Sequence, residues 1–303
     1  MKEYVISNND SGQTILNFIK KVYFNTPLSV IYKWFRRKEI KLNGVRINNF
    51  KIKIVTNDIV IVYDHENPGI KKEKKNLQFN LNIAYIDNNL LIVIKEPGIP
   101  VHNIQGICLD EIVNSYLENK NFNIEGITFK ISHAHRLDKP TSGLVIYPLT
   151  KESSLEIYKY INNKNVITKF YIAKSYLKRN ISKNIKGFIK YDQEMRRSFF
   201  SSEKEDKFFK PCEQIINKIS ENLFEIALGS GKKHQIRAIF SYYNMPLVND
   251  YRYGAKRVMD DISIGLVAYK IKFNFPLNSP LYYMNDKIIK IDYKHFLDVD
   301  LNK

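Results

Sequence analysis

From Val166 onward the chain offers four strand-like runs in close succession: VITKFYIAKSYL, KGFIKY, CEQIINKI and LFEIALG. Residues of this kind suit a pleated, half-buried surface. Upstream, IAYID and LLIVI flank a turn at Asn88 and Asn89 and read as two antiparallel strands. Helical periodicity marks CLDEIVNSYLEN from Cys108 and SSLEIYKYINN from Ser153. The regular strand-helix alternation of a doubly wound sheet is missing. This pattern predicts an α+β fold with a large mixed, mostly antiparallel sheet. Neither GxGxxG nor GxxxxGK[ST] occurs, so chemistry on a bound nucleotide cofactor has no foothold.

The front of the chain differs. Ser11 is placed to cap a helix whose Ile15, Phe18, Ile19 and Val22 recur at helical spacing. Thr26 and Pro27 form a cap and first-turn pair for a second helix with Leu28, Ile31 and Phe35 on its stripe. Lys33, Arg36, Arg37 and Lys38 lie off that stripe and give a cationic flank. IKLNGVRI then turns at Asn43-Gly44, a strong hairpin signal, and another strand is expected over Asp58 to Tyr63. Two helices plus a hairpin with RRKEIKLNG at the junction resemble the αL RNA-binding motif shared by a ribosomal small-subunit protein and several RNA-modifying enzymes. A small domain is expected over residues 1–64, a charged Pro/Gly-containing linker over 65–78 and a large domain over 79–303.

Charge favours the same partner. Forty-eight Lys and Arg against thirty-one Asp and Glu leave +17, accompanied by twenty Tyr and eighteen Phe. Cations beside stacking rings suit nucleic acid, although a Lys-rich composition also arises from codon bias. Residues 1–64 hold eleven basic and five acidic residues, +6, so most of the excess lies in the large domain. The two cysteines, Cys108 and Cys212, have no Cys or His beside them at metal-ligand spacing, which suggests a reducing compartment and no structural zinc. MKEYVISNNDSGQ has no signal-peptide core, and no apolar run approaches the roughly 20 residues of a membrane helix. A soluble cytoplasmic protein with no membrane association is expected.

The chemistry concentrates in HAHRLDKPTSGLVIY, His133 to Tyr147, where Asp138 to Gly143 form a turn ahead of a strand from Leu144. A carboxylate on such a turn is both accessible and positioned. His135, Arg136, Leu137, Asp138, Thr141, Ser142 and Gly143 match the HRLDxxTSG signature, and the chain resembles the RluA family of pseudouridine synthases. KFYIA, Lys169 to Ala173, is similar to that family's KxYxA element. GSGKKHQIRAIFSYYNMPLVNDYRYG, from Gly229, resembles GRTHQIRxH...GxPxxGDxxYG, and IKEPGIPVHN resembles NKPxGxxVH. Departures include Glu96 for Pro, Lys232 and Lys233 for Arg and Thr, Ile239 for His, and Asn244 and Asn249 for Gly. Pro148 and Leu149 also replace a common Ala-Lys. Asn tolerates positive φ better than other non-glycine residues, so both turns are expected to persist.

The resemblance implies isomerisation of uridine to pseudouridine in structured RNA without cofactor or metal. It implies that Asp138 attacks ribose C1′ or takes the 2′ proton, two routes that stay open. An ionised carboxylate is costly in a sheltered pocket, and a cation within about 4–6 Å offsets that cost. The family assigns this cation to Arg237, though a plain structural salt bridge is the alternative. Tyr171 would stack on uracil and assist at C5. Arg136 would fill the gap left by the flipped base, or make a salt bridge or phosphate contact. Lys33, Arg36, Arg37, Lys38, Lys232 and Lys233 are the further RNA-binding candidates.

Among branches, the chain is most similar to the RluC type, which implies large-subunit ribosomal RNA as substrate; related enzymes act on transfer RNA. A monomer is expected. The rival is a catalytically silent RNA-binding or ribosome-assembly protein that keeps the fold. An RNA methyltransferase is disfavoured by the missing glycine-rich loop.

Overall fold

The computed structural model describes residues 1–63, 80–103, 106–120, 122, 125–177, 181–228, 231–256 and 262–297. The expected linker over 65–78 lies outside them. Two compact units form. One takes Met1–Phe79 with Asn114–Ser132 and Leu149–Glu152; the other holds the rest.

In the first unit, β1 (Lys2–Val5), β2 (Ile40–Leu42), β3 (Val45–Ile47) and β4 (Ile59–Val62) make an antiparallel sheet in the order β1-β4-β2-β3. The Asn43-Gly44 hairpin is present, with φ of 49° and 80°. Two positive φ values match the twist of the flanking strands. The Asn43 side chain also donates to Asp58 and accepts from the Ile59 amide, both at 2.8 Å. Helices α1 (Ile15–Val22) and α2 (Leu28–Arg36) bury Ile15, Phe18, Ile19, Ile31, Trp34 and Phe35. Each full burial stabilises by roughly 1.5–3 kcal/mol.

Details depart from expectation. Thr14, rather than Ser11, caps α1 by accepting from the Asn17 amide, and Ser11 instead ends a short 3-10 turn. Pro27 occupies the cap position of α2, one residue later than expected, and Leu28 is exposed. Strand β1 carried too short an alternation to stand out. Segment 114–132 joins this unit through buried Asp10, which accepts from the Ile127 and Thr128 amides and the Thr128 hydroxyl, and segment 149–152 joins it through the Lys151 amide, which donates to Asn9 Oδ1 at 2.8 Å. Burial raises the Asp10 pKa, but the bonds it accepts outweigh it and hold the carboxyl below its ordinary value.

The second unit contains β5 (Asn82–Ile86), β6 (Leu90–Lys95), β7 (Ser142–Pro148), β8 (Ile167–Lys174), β9 (Asn184–Asp192), β10 (Arg197–Ser201), β11 (Lys210–Lys218), β12 (Leu223–Leu228), β13 (Leu266–Phe273) and β14 (Ile288–Lys290). They form one ten-stranded sheet among the described residues, in the order β10-β9-β11-β12-β8-β13-β7-β6-β5, with β14 also on β13. All pairs are antiparallel except β13 with β7. The expected mixed, mostly antiparallel α+β architecture is therefore observed. Strand β7 is buried along its length and packs Leu144 and Ile146 with Leu90, Ile92 and Phe273 in one core cluster.

Helix α3 (Leu109–Asn119) and helix α4 (Lys151–Tyr160) correspond to the periodic segments. Helix α5 (Gln235–Tyr242) has no legible stripe, because Gln235 to Phe240 are all buried. It packs against β10. Asn244 and Asn249 adopt φ of 54° and 61°, so asparagine supports both left-handed positions. A short α6 (Lys294–Leu297) follows β14.

Candidate active site

Asp138 stands on a turn closed by the Thr141 amide, which donates to the Asp138 carbonyl at 3.0 Å. Strand β7 begins at the next residue. Gly143 there has φ of +117°, and a Cβ would lie 2.2 Å from the Ala268 carbonyl oxygen. Only glycine permits this approach. Ala268 pairs with Gly143 on one side and Tyr171 on the other, so one row across β7, β13 and β8 relates the aspartate turn to the tyrosine.

Lys95 supports that turn from below. Its fully buried ammonium donates to the carbonyls of Glu96, Ile99 and Lys139 at 2.8, 2.9 and 3.1 Å. The Gly98 amide also donates to the Lys139 carbonyl. Burial pulls the Lys95 pKa down to about 7, opposed by the charge of Asp138.

Arg237, on α5, donates from Nη1 to Asp138 at 2.9 Å. Its Nε and Nη2 donate to the two oxygens of Asp250, at 2.7 and 2.8 Å. The arginine and Asp250 are buried, while the Asp138 side chain keeps 22% exposure. Burial disfavours the guanidinium charge, but the two carboxylates more than compensate and raise its pKa.

A second chain of contacts leads toward Asp138 through histidine. The Ser198 amide donates to the Tyr253 oxygen at 2.6 Å, leaving the phenolic proton for His234 Nδ1 at 2.9 Å. The neutral ring then carries its proton on Nε2, 3.6 Å from Asp138 Oδ1. Burial drives the His234 pKa down to about 4 despite Asp138. His135 is likewise kept neutral by burial, and its Nε2 accepts from the Ile146 amide at 3.4 Å.

These residues meet in a cavity of about 450 Å³ lined by Asp138, Tyr171 and Arg237, together with Arg136, Lys232 and Lys233. Tyr171 is 6% exposed; burial, then the Asp138 charge, raises its phenol pKa above the ordinary range. Arg136, Lys232 and Lys233 are exposed, and the Lys233 ammonium lies 3.4 Å from the Tyr191 ring centroid. Lys33, Arg36, Arg37 and Lys38 belong to the other unit, where all four are exposed on α2 or just after it.

The family model described as RNA pseudouridylate synthase matches residues 89–242. An uncharacterized RNA pseudouridine synthase of Mycoplasma capricolum is 40% identical over 295 residues, 95% of this chain and 97% of the relative. The chain belongs to the RNA pseudouridylate synthase family. The ribosomal large subunit pseudouridine synthase C of Buchnera aphidicola subsp. Baizongia pistaciae is 26% identical, covering 94% of this synthase and 95% of its own length. In fold, the human RNA pseudouridylate synthase domain containing 1 aligns with a TM-score of 0.52 at 16% identity, over 70% of this chain and 82% of its own.

Pseudouridine synthases isomerise uridine in RNA, and the cavity gathers every candidate that HRLD, KFYIA and HQIR supplied. Three contributors went unassigned in the sequence: Asp250, Tyr253 and Lys95. The first two stand in NDYRYG and the third in IKEPG, so their motifs were visible while their bonds were not. No helix among the described residues is long and apolar enough to cross a membrane.

Proposed function

We propose that this synthase acts on large-subunit ribosomal RNA, with Asp138 as the catalytic carboxylate. The observation that carries the reading is the Asp138–Arg237 contact at 2.9 Å inside a cavity that also holds Tyr171. The glycosidic bond from C1′ to N1 breaks, uracil turns, C5 bonds to C1′, and the C5 proton leaves as N1 gains one. Asp138 either attacks C1′ or takes the 2′ proton. Arg237 keeps a charged partner on the carboxylate, and Asp250 fixes the guanidinium that does so. Tyr171 stacks on the flipped base and serves proton transfer at C5. Arg136 enters the gap in the RNA, where its planar cation recovers part of the unstacking energy.

Residues 79–303 supply the chemistry in this reading, and residues 1–64 grip RNA through Lys33, Arg36, Arg37 and Lys38. Lys232 and Lys233 add phosphate contacts at the cavity. The ribosomal assignment draws support from the relatives named as large subunit synthases.

Tritium release from RNA labelled at uridine C5 tests the chemistry: wild type releases label, and Asp138→Asn does not while still binding RNA. Failure of wild type on ribosomal and transfer RNA, with binding to both intact, would leave a silent RNA-binding protein. Mapping pseudouridines in cells with and without the gene tests the substrate, and loss confined to transfer RNA overturns the ribosomal assignment.

A further inference from the structure

Away from Asp138, His102, Asp110 and His133 converge on one point. His102 Nδ1 lies 2.9 Å from Asp110 Oδ2, and His133 Nδ1 lies 2.9 and 3.0 Å from Asp110 Oδ1 and Oδ2. One ligand atom from each lies within 4.8 Å of the others, the one such group among the described residues. The histidines come from different segments, so the arrangement is a product of folding and not of local spacing. Backbone bonds fix all three: the Leu109 and Asp110 amides donate to the Pro100 and Val101 carbonyls, and the Ala134 amide donates to Ile146. The Tyr147 hydroxyl donates to Asp110 Oδ1 at 2.9 Å and orients the carboxylate.

We propose that His102, Asp110 and His133 form a binding site for a divalent transition metal of the zinc class, on the wall of the cavity that holds Asp138. Two imidazole nitrogens and one carboxylate oxygen select zinc, nickel or cobalt over magnesium or calcium. Metal-to-ligand bonds of about 2.0–2.2 Å place tetrahedral ligand atoms about 3.3 Å apart. The two histidine-to-carboxylate separations reach that geometry by opening a few tenths of an ångström, and the ligand nitrogens of the two histidines lie within 4.8 Å of each other. Coordination through Nδ1 leaves the proton of each ring on Nε2. The Tyr147 bond then supplies the outer support that metal-bound carboxylates require.

The ion ties the segment lining one side of the cavity at Pro100 to His102 to the segment leading into HRLD. Its role is positional, since no ligand is among the groups proposed to touch the reacting atoms. The His102 side chain is 56% exposed, so an ion reaches the cluster from solvent.

Isothermal titration of the metal-stripped full-length protein with zinc sulfate tests this. Wild type should take up one equivalent, and the midpoint of thermal unfolding should rise with zinc. His102→Ala, at an exposed side chain, and the His102→Ala/His133→Ala pair should lose that equivalent and the shift. Tyr147→Phe should weaken binding about 10–100-fold. Cobalt substituted into wild type should give the visible absorption of a four-coordinate nitrogen and oxygen site. Absence of saturable binding by wild type reduces the cluster to a hydrogen-bonded triad and overturns the proposal. An equivalent retained by the folded double variant overturns it too, because the metal then sits elsewhere.

Discussion

Arg237 reaches Asp138 with one guanidinium nitrogen at 2.9 Å while its other two hydrogen-bonding nitrogens are taken by Asp250. The bidentate pair sets the plane of the guanidinium, so the direction of the third bond is decided 13 residues further along the chain. Asp250→Asn keeps the shape and removes the charge that anchors this plane. Displacement by about 1 Å at a reacting group can cost about 10²-fold in rate. Tritium release by Asp250→Asn is expected to fall by roughly that factor, with RNA affinity unchanged. Arg237→Met strands the buried carboxylate of Asp250, and denaturant unfolding should register a loss of about 3–5 kcal/mol.

Acid should act through His234 before it acts through the lowered carboxylates. The folded pKa is about 4 against 6.5 for the ordinary side chain, with burial as the main cause. Between those values the unfolded chain binds a proton that the folded chain excludes. Stability therefore rises with pH through this window and falls as pH drops from 6.5 to 4, by about 3 kcal/mol for this group alone. His135 acts in the same direction. The contributions of Asp10, Asp87 and Asp110 are present above their ordinary 3.8 and are lost as pH falls through their lower folded values. His234→Gln should flatten the curve between pH 4 and 6.5, measured by urea unfolding at a series of pH values.

Gly143→Ala should be among the most damaging single-methyl changes in the chain. The added carbon meets the Ala268 backbone at 2.2 Å, and φ of +117° is unfavourable for any L side chain. Relief requires β7 to move from β13, carrying the Asp138 turn with it. Overpacking alone typically costs about 1–3 kcal/mol, and the backbone strain adds about as much. Thermal unfolding should shift down strongly, and the surviving folded fraction should show reduced tritium release.

How far such features could be read beforehand depended on whether their cause was local. The Asn43-Gly44 hairpin was legible because two residues carry the whole turn. So was the left-handed backbone at Asn244 and Asn249. Motifs also brought Asp138, Tyr171 and Arg237 forward, although their spacing says nothing about distance. By contrast, α5 hides its period because every side from Gln235 to Phe240 is buried. Strand β13 makes sense only between β8 and β7, and Asp110 gains its histidines only when three separate segments meet. Ser11 was a plausible cap, but Thr14 stands one residue before the helix and holds the geometry that capping needs.

The cationic flank of α2 should show itself through salt. Lys33, Arg36, Arg37 and Lys38 are all exposed, and the proposed RNA grip assigns each a phosphate. Each such contact on a single strand contributes about 0.7 to the slope of log affinity against log salt. Replacing all four with glutamine should reduce that slope by about 3 in filter-binding titrations. Tritium release at saturating RNA should persist, because none of these residues lines the cavity.

Tyr171 offers two separable contributions, its ring and its hydroxyl. Burial and the Asp138 charge keep the phenol protonated at neutral pH, so it accepts the C5 proton only by giving up its own. Proton transfer by a positioned side chain typically contributes about 10²–10⁴-fold, whereas stacking on a base is worth about 1–3 kcal/mol. Tyr171→Phe retains the ring and should bind RNA like wild type while releasing tritium at least about 10²-fold more slowly. Tyr171→Leu removes both and should also weaken binding. Equal release rates for Tyr171→Phe and wild type would assign the residue to stacking alone and pass proton transfer at C5 to another group in the cavity.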